Sequence, residues 1–140
     1  MKTAPAAGSF LTPEDCEAAF YRAFRAGDLD AMAAIWEAAP DILCVHPGRA
    51  PLAGRGPVMD SWRDILGATG GVQVRFDCHG RAQSDGLAVH TGLELIGASG
   101  GDQAVVTVTN VYGLTGDGWK MRLHHAAPVH RNARRRGPVH

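Results

Sequence analysis

Over residues 72–127 the chain alternates with a period of two and is broken three times by turn-forming residues, a pattern few folds accept. Val72, Val74, Phe76 and Cys78 alternate with Gln73, Arg75, Asp77 and His79, as a half-buried strand requires. Asp85-Gly86 is a hairpin turn signal, and a second strand is expected over 87–96. The GASGGD stretch at 97–102 turns the chain again. A third strand follows over 103–114, then Asp117-Gly118, then a fourth strand over 119–127. Three consecutive hairpin turns imply an antiparallel meander.

Helical signals precede it. Thr12 is placed to cap a helix with Pro13 in its first position and Glu14 and Asp15 in its first turn. Cys16, Ala19, Phe20, Ala23 and Phe24 recur along one helical face, and Gly27 ends the run. Asp28 caps a second helix carrying Leu29, Met32, Ala33 and Trp36, which Pro40 stops. Residues 42–46 read as a short strand. Residues 47–56 (PGRAPLAGRG) are turn-rich and expected to be irregular. Pro57 opens a third helix with Val58, Ser61, Trp62, Ile65 and Leu66 on one side, ended by ATGG at 68–71. Helices segregated from an antiparallel sheet make an α+β architecture. Three helices cover one sheet face and leave a concave space for a small molecule. The other face calls for a second copy of the chain, so a homodimer is expected through Thr107, Thr109, Lys120, Arg122 and His124.

At 140 residues one domain is expected, over 12–130, with a loose lead-in at 1–11 and a basic, disordered tail at 131–140. Lys+Arg and Asp+Glu both number 14, and this balance argues against a nucleic-acid partner. No signal-peptide pattern and no run of about 20 apolar residues is present, so a cytoplasmic protein without a membrane partner is expected. Cys16, Cys44 and Cys78 are odd in number and lack CxxC spacing, which suits buried free thiols. His46, His124 and His125 lack metal-site spacing, and neighbours on a strand point to opposite faces, so neither metal nor cofactor is expected.

Strand alternation selects the inward side chains. Val106, Val108, Asn110 and Tyr112 share one face of the third long strand. In the last strand Trp119, Met121, Leu123 and His125 form the more apolar set, which places His125 inward and His124 outward. His46 shares a face with Ile42 and Cys44. The interior candidates are therefore His46, Asn110, Tyr112, His125, Trp36 and Trp62. Core packing alone would account for the two indoles. His46 and Asn110 stand out, because an unpaired polar group on an inward face costs a few kcal/mol.

The phrases GDLDAMAAIW, LCVHPG and VTNVYGLTGDGWKMRLHHAAPV together resemble the nuclear transport factor 2-like superfamily, and within it the SnoaL-like and ketosteroid-isomerase-like proteins, over residues 12–130. The last phrase is also similar to the association domain of calcium/calmodulin-dependent kinases. The resemblance implies a cone-shaped, cystatin-like fold, three helices packed on a curved sheet around a pocket. It also implies roles. The steroid isomerases' general-base aspartate falls on His46, their donor aspartate on Asn110, and their donor tyrosine on Phe20. Tyr21 is adjacent but about 100° around the helix. With those positions changed, ketosteroid isomerisation itself is not expected. The expected activity is proton abstraction, of isomerase, cyclase or lyase type, from a small apolar carbonyl compound. His46 would be the base and Asn110 the polarising donor, with Phe20, Trp36, Trp62, Tyr112 and His125 around the ligand. The alternative is a non-catalytic ligand-binding or oligomerisation module.

Overall fold

The computed structural model describes residues 8–69, 71–97 and 103–129. The basic tail at 131–140, most of the expected lead-in and residues 98–102 of the second turn lie outside the described residues.

Helix α1 spans Pro13–Ala26, and the Thr12 hydroxyl accepts the Asp15 N–H at 3.0 Å to cap it. Gly27 closes it at φ +66°, a left-handed conformation that glycine adopts without strain. Helix α2 spans Leu29–Ile35 under an Asp28 cap, shorter than expected. It stops because Trp36 goes extended and bridges Met121, and the Glu37 N–H then bonds the Met121 carbonyl at 3.0 Å. Strand β1 is Leu43–Val45. The stretch expected to be irregular contains a two-residue strand, β2 (Leu52–Ala53), paired with β1, and helix α3 (Arg55–Thr69) starts two residues before Pro57. The meander follows as β3 (Val74–Gln83), β4 (Leu87–Gly97), β5 (Gln103–Thr115) and β6 (Gly118–Pro128). These form one six-stranded sheet in the order β2-β1-β6-β5-β4-β3, antiparallel except where β1 runs parallel to β6. The chain from Gly8 is tied to the sheet rather than loose: Phe10 bridges Trp119, whose N–H donates to its carbonyl at 2.9 Å.

The sheet wraps α1, which buries Cys16, Ala19, Phe20, Tyr21, Ala23 and Phe24, an arc wider than one helical stripe. Trp62 meets Phe24 and Phe20 edge to face at 5.2 and 5.5 Å and joins α3 to α1.

A bulge decides which histidine faces in. Val111 pairs with Leu123 but Tyr112 pairs with Met121, so Arg122 is an extra residue in β6. An extra residue inverts the alternation beyond it. Trp119 and Met121 point inward before the bulge, and His124 and Ala126 after it. His125, expected inside, is exposed on the outer face, and His124 is 2% exposed. His124 therefore leaves the expected dimer face. Arg122 is held by Glu37 and Asp41, and Lys120 by the carbonyls of Gly8 and Ala34. A second irregularity, at Cys78–Gly80, lies against Gly92, where an added Cβ would overlap the Asp77 carbonyl and sit 2.9 Å from Cys78 Cα. Among the described residues no helix is long and apolar enough to cross a membrane.

Candidate functional site

His46 is the first residue past β1, and Pro47 and Gly48 (φ +74°) turn the chain away, with the Arg49 N–H donating to the His46 carbonyl at 3.0 Å. The ring is 4% exposed and meets Trp62 edge to face at 4.9 Å. Its Nε2 lies 2.8 Å from Ser61 Oγ, and that hydroxyl donates to the Val58 carbonyl at 2.7 Å. With its hydrogen on the Val58 carbonyl Ser61 accepts, and Cys44 Sγ at 3.5 Å is a second, weaker contact of the same nitrogen; this arrangement assigns the His46 proton to Nε2. Burial, and then the Arg49 charge, lower its pKa from 6.5 to about 4. At neutral pH the ring is uncharged.

A chain of four buried side chains runs beside it. Tyr21 Oη donates to Glu94 Oε2 at 2.7 Å, Asn110 Nδ2 donates to Tyr21 Oη at 3.0 Å, and His124 Nδ1 lies 2.6 Å from Asn110 Oδ1. A carboxamide oxygen only accepts, so His124 carries its proton on Nδ1, the opposite tautomer to His46. Burial, followed by the charges of His46 and His125, lowers the His124 pKa to about 3. Burial raises Glu94 from 4.5 to about 7, although the Tyr21 hydrogen bond opposes the shift. Burial also lifts the Tyr21 hydroxyl well above 10, so it stays a donor.

His46, Glu94 and His124 converge on one cavity of about 290 Å³, walled by Phe24, Trp62, Ile65 and Ile96, with Pro47 and Arg49 completing the lining. This is the hollow expected between helices and sheet, reduced to one end of it. His46 and Trp62 line it as expected. Asn110 is buried on the inward face but sits behind the lining, bonded to Tyr21 and His124, so it is a positioning residue and not a donor to the cavity. Phe20 supports the lining from below, 5.1 Å from His124 and 5.5 Å from Trp62. Tyr112 packs against His90 at 5.0 Å, and Trp36 lies beside Met121; neither lines the cavity.

Glu94, His124, Tyr21 and Arg49 are the site residues that sequence reasoning passed over. Tyr21 reaches the interior because the wrapped helix buries more than one stripe. Glu94 follows from alternation in β4, which turns Ala88, His90, Gly92 and Glu94 to one side.

A larger groove of about 620 Å³ runs along α1 and α2, but alanines dominate its lining and no titratable residue there is buried. Burial pushes the Cys16 and Cys44 thiols up to about 12, which removes them as nucleophiles at neutral pH. Among the described residues no three His, Cys, Asp or Glu side chains are grouped to hold a metal ion.

No curated protein matches the chain. Among solved structures, a Thiobacillus denitrificans protein provisionally named a calcium/calmodulin-dependent protein kinase type II association domain is 36% identical. It aligns over 86% of this chain and 98% of its own, with a TM-score of 0.81. A nuclear transport factor 2-like protein of Streptomyces avermitilis, provisionally named a dehydratase, is 32% identical over 81% of this chain and 91% of its own, with a TM-score of 0.72. A ketosteroid isomerase-like protein of Erwinia carotovora atroseptica shares the fold at 18% identity and a TM-score of 0.61, covering 84% of this chain and 93% of its own. The SnoaL-like domain model matches residues 14–130, and with a helix-covered, mostly antiparallel sheet closing on a polar-floored cavity, the chain belongs to the SnoaL-like domain family.

Proposed function

We propose that this SnoaL-like protein binds a small, largely apolar molecule in the 290 Å³ cavity and removes a proton from it by general acid–base chemistry. One observation carries the reading: Glu94, with a pKa raised to about 7, opens onto the same apolar-walled space as two neutral imidazoles. A group that titrates near the working pH is suited to both taking and returning a proton. Asn110 supplies no donor to the cavity, so the reading moves away from polarising a carbonyl. An elimination needs less. The Glu94 carboxylate takes a proton from carbon, the carbon–oxygen bond breaks, and the same proton leaves with the departing hydroxyl as water. The dehydratase name of the Streptomyces protein at 32% identity agrees with that step. The volume is at the small end of ligand pockets, which span about 300–1,000 Å³. The test is a thermal-shift and turnover screen of small hydroxy and carbonyl compounds with wild type, His46→Ala and Glu94→Gln. Binding and turnover that depend on both residues are expected. Turnover unchanged within threefold in both variants would remove the assignment.

A second reading, association of two copies, has its own support on the outer sheet face. There Val89, Val111 and Leu123 adjoin across three strands, and Leu93, Leu95 and Val105 form a second group beyond the Thr91–Thr109 pair; all six are only half-buried. Grouped apolar side chains left half-exposed on a sheet face suit a partner, and the Thiobacillus protein is named an association domain. Light scattering should find twice the 14.8 kDa chain mass at micromolar concentration, and Leu95→Asp should halve it. A wild-type monomer would end this reading. The two readings are compatible, because the cavity lies on the opposite face.

A further inference from the structure

We propose that the ligand of this cavity brings its own hydrogen-bond donors, at least two hydroxyl groups on a small apolar frame, because every side chain polar atom facing it from inside the rim is an acceptor. The inference rests on the cavity being the ligand site and adds what the ligand must be.

Ser61 takes the Nε2–H of His46 and Asn110 takes the Nδ1–H of His124. The nitrogens left over, His46 Nδ1 and His124 Nε2, therefore carry lone pairs. Neither forms a hydrogen bond among the described residues. Neither is among the sealed, unpartnered atoms, which are Trp36 Nε1, Trp62 Nε1 and Tyr112 Oη. Both rings line the cavity and neither nitrogen is sealed, so the cavity is where we place the two lone pairs. Glu94 is in the same position. Tyr21 occupies Oε2, and Oε1 is neither bonded nor sealed. Burial keeps both imidazoles neutral, so neither ring offers a second N–H at neutral pH. The donors of Asn110 and Tyr21 that could have faced a ligand are spent within the chain that ends on Glu94.

An acceptor-lined cavity leaves a bare ketone or ether unpaired, and unpaired buried acceptors lower affinity steeply. It satisfies a ligand that donates. The donors are hydroxyls rather than an ammonium group, because the Arg49 guanidinium stands at the rim with no carboxylate paired to it among the described residues. A cation entering there passes that positive charge and finds neutral imidazoles, with the single Glu94 carboxylate as its one counter-charge.

Two measurements at pH 8, where Glu94 is mostly ionised, test this. Long-range proton–nitrogen spectra of the wild-type protein should show His124 as the Nδ1–H tautomer and His46 as the Nε2–H tautomer. An Nδ1–H His46 would aim a donor at the ligand and overturn the proposal, and so would an Nε2–H His124. The His124 result would mean the reverse Asn110 amide orientation, which turns every donor in the chain around, protonates Glu94 and aims a donor at the ligand. The second measurement titrates resorcinol against 1,3-dimethoxybenzene, the same frame with its donors methylated. Resorcinol should bind at least tenfold more tightly. Equal binding, or preference for the ether, would overturn this inference and leave the cavity as a ligand site. Binding of neither at millimolar concentration would remove both this inference and the proposed function.

Discussion

Glu94→Gln should lower kcat/KM by about 10²–10⁴-fold on any substrate the protein turns over, the usual loss for a positioned acid–base group. The same substitution should make the protein more stable at pH 8. Glutamine keeps the shape and can still accept the Tyr21 hydroxyl, but it carries no charge into a site that is 1% exposed. The sign follows from linkage. The folded pKa of about 7 is above the unfolded 4.5, so between those values the native state binds more protons than the unfolded chain. Wild-type stability therefore falls as pH rises through this window. Ionising Glu94 costs the native state roughly 3 kcal/mol by pH 8. Urea unfolding should find the variant ahead by about that amount at pH 8 and level with wild type near pH 4.5, apart from any pH-independent offset, with m unchanged. Activity lost together with stability at every pH would mean that Glu94 is structural. Activity lost while stability rises is what a residue kept for its chemistry shows.

The sequence carried most of the fold and part of the site, and particular residues show where the reading stopped. Caps at Thr12, Asp28 and Gly27 announce α1 and α2, because capping is local chemistry. The hairpins at Asp85-Gly86 and Asp117-Gly118 are equally local. His46, Asn110, Tyr112 and Trp62 could be placed inside from alternation and helical spacing, and each is buried. His124 could not, because nothing about Arg122 signals that a strand pairing will skip it. One inserted residue exchanged the fates of two adjacent histidines. Glu94 was hidden for another reason. In β4 the set Val89, Leu93 and Leu95 is more apolar than Ala88, His90, Gly92 and Glu94, yet the second set is buried. Binary patterning assigns the more apolar face to the core of a single chain. Here a polar floor faces the cavity and the apolar face looks outward. That inversion is what the proposed cavity chemistry on one side and the proposed association of two copies on the other would each require of the sheet.

His124→Phe should narrow its stability deficit against wild type by roughly 2 kcal/mol as pH falls from 7 to 5. At pH 7 the variant should be weaker by about 1–3 kcal/mol, since phenylalanine fills much of the space beside Phe20 but leaves Asn110 Oδ1 without its donor. Acid then acts unequally on the two proteins. The folded His124 pKa of about 3 is below the unfolded 6.5, so from pH 6.5 downward the unfolded wild-type chain binds a proton that the native ring refuses. The stability held in that neutral ring is present above pH 6.5 and is lost as pH falls towards 3. Phenylalanine has no proton to gain and escapes this loss. The contributions of His46, Glu94 and the surface carboxylates are shared by both proteins and cancel in the difference, except for the small repulsion between the two rings, whose centroids are 6.3 Å apart. A deficit that stays constant from pH 7 to 5 would mean that His124 protonates freely inside the fold. Below about pH 6.5 it would then face the cavity as a cation with two N–H groups, and the acceptor character proposed for this ring would be confined to neutral and alkaline pH.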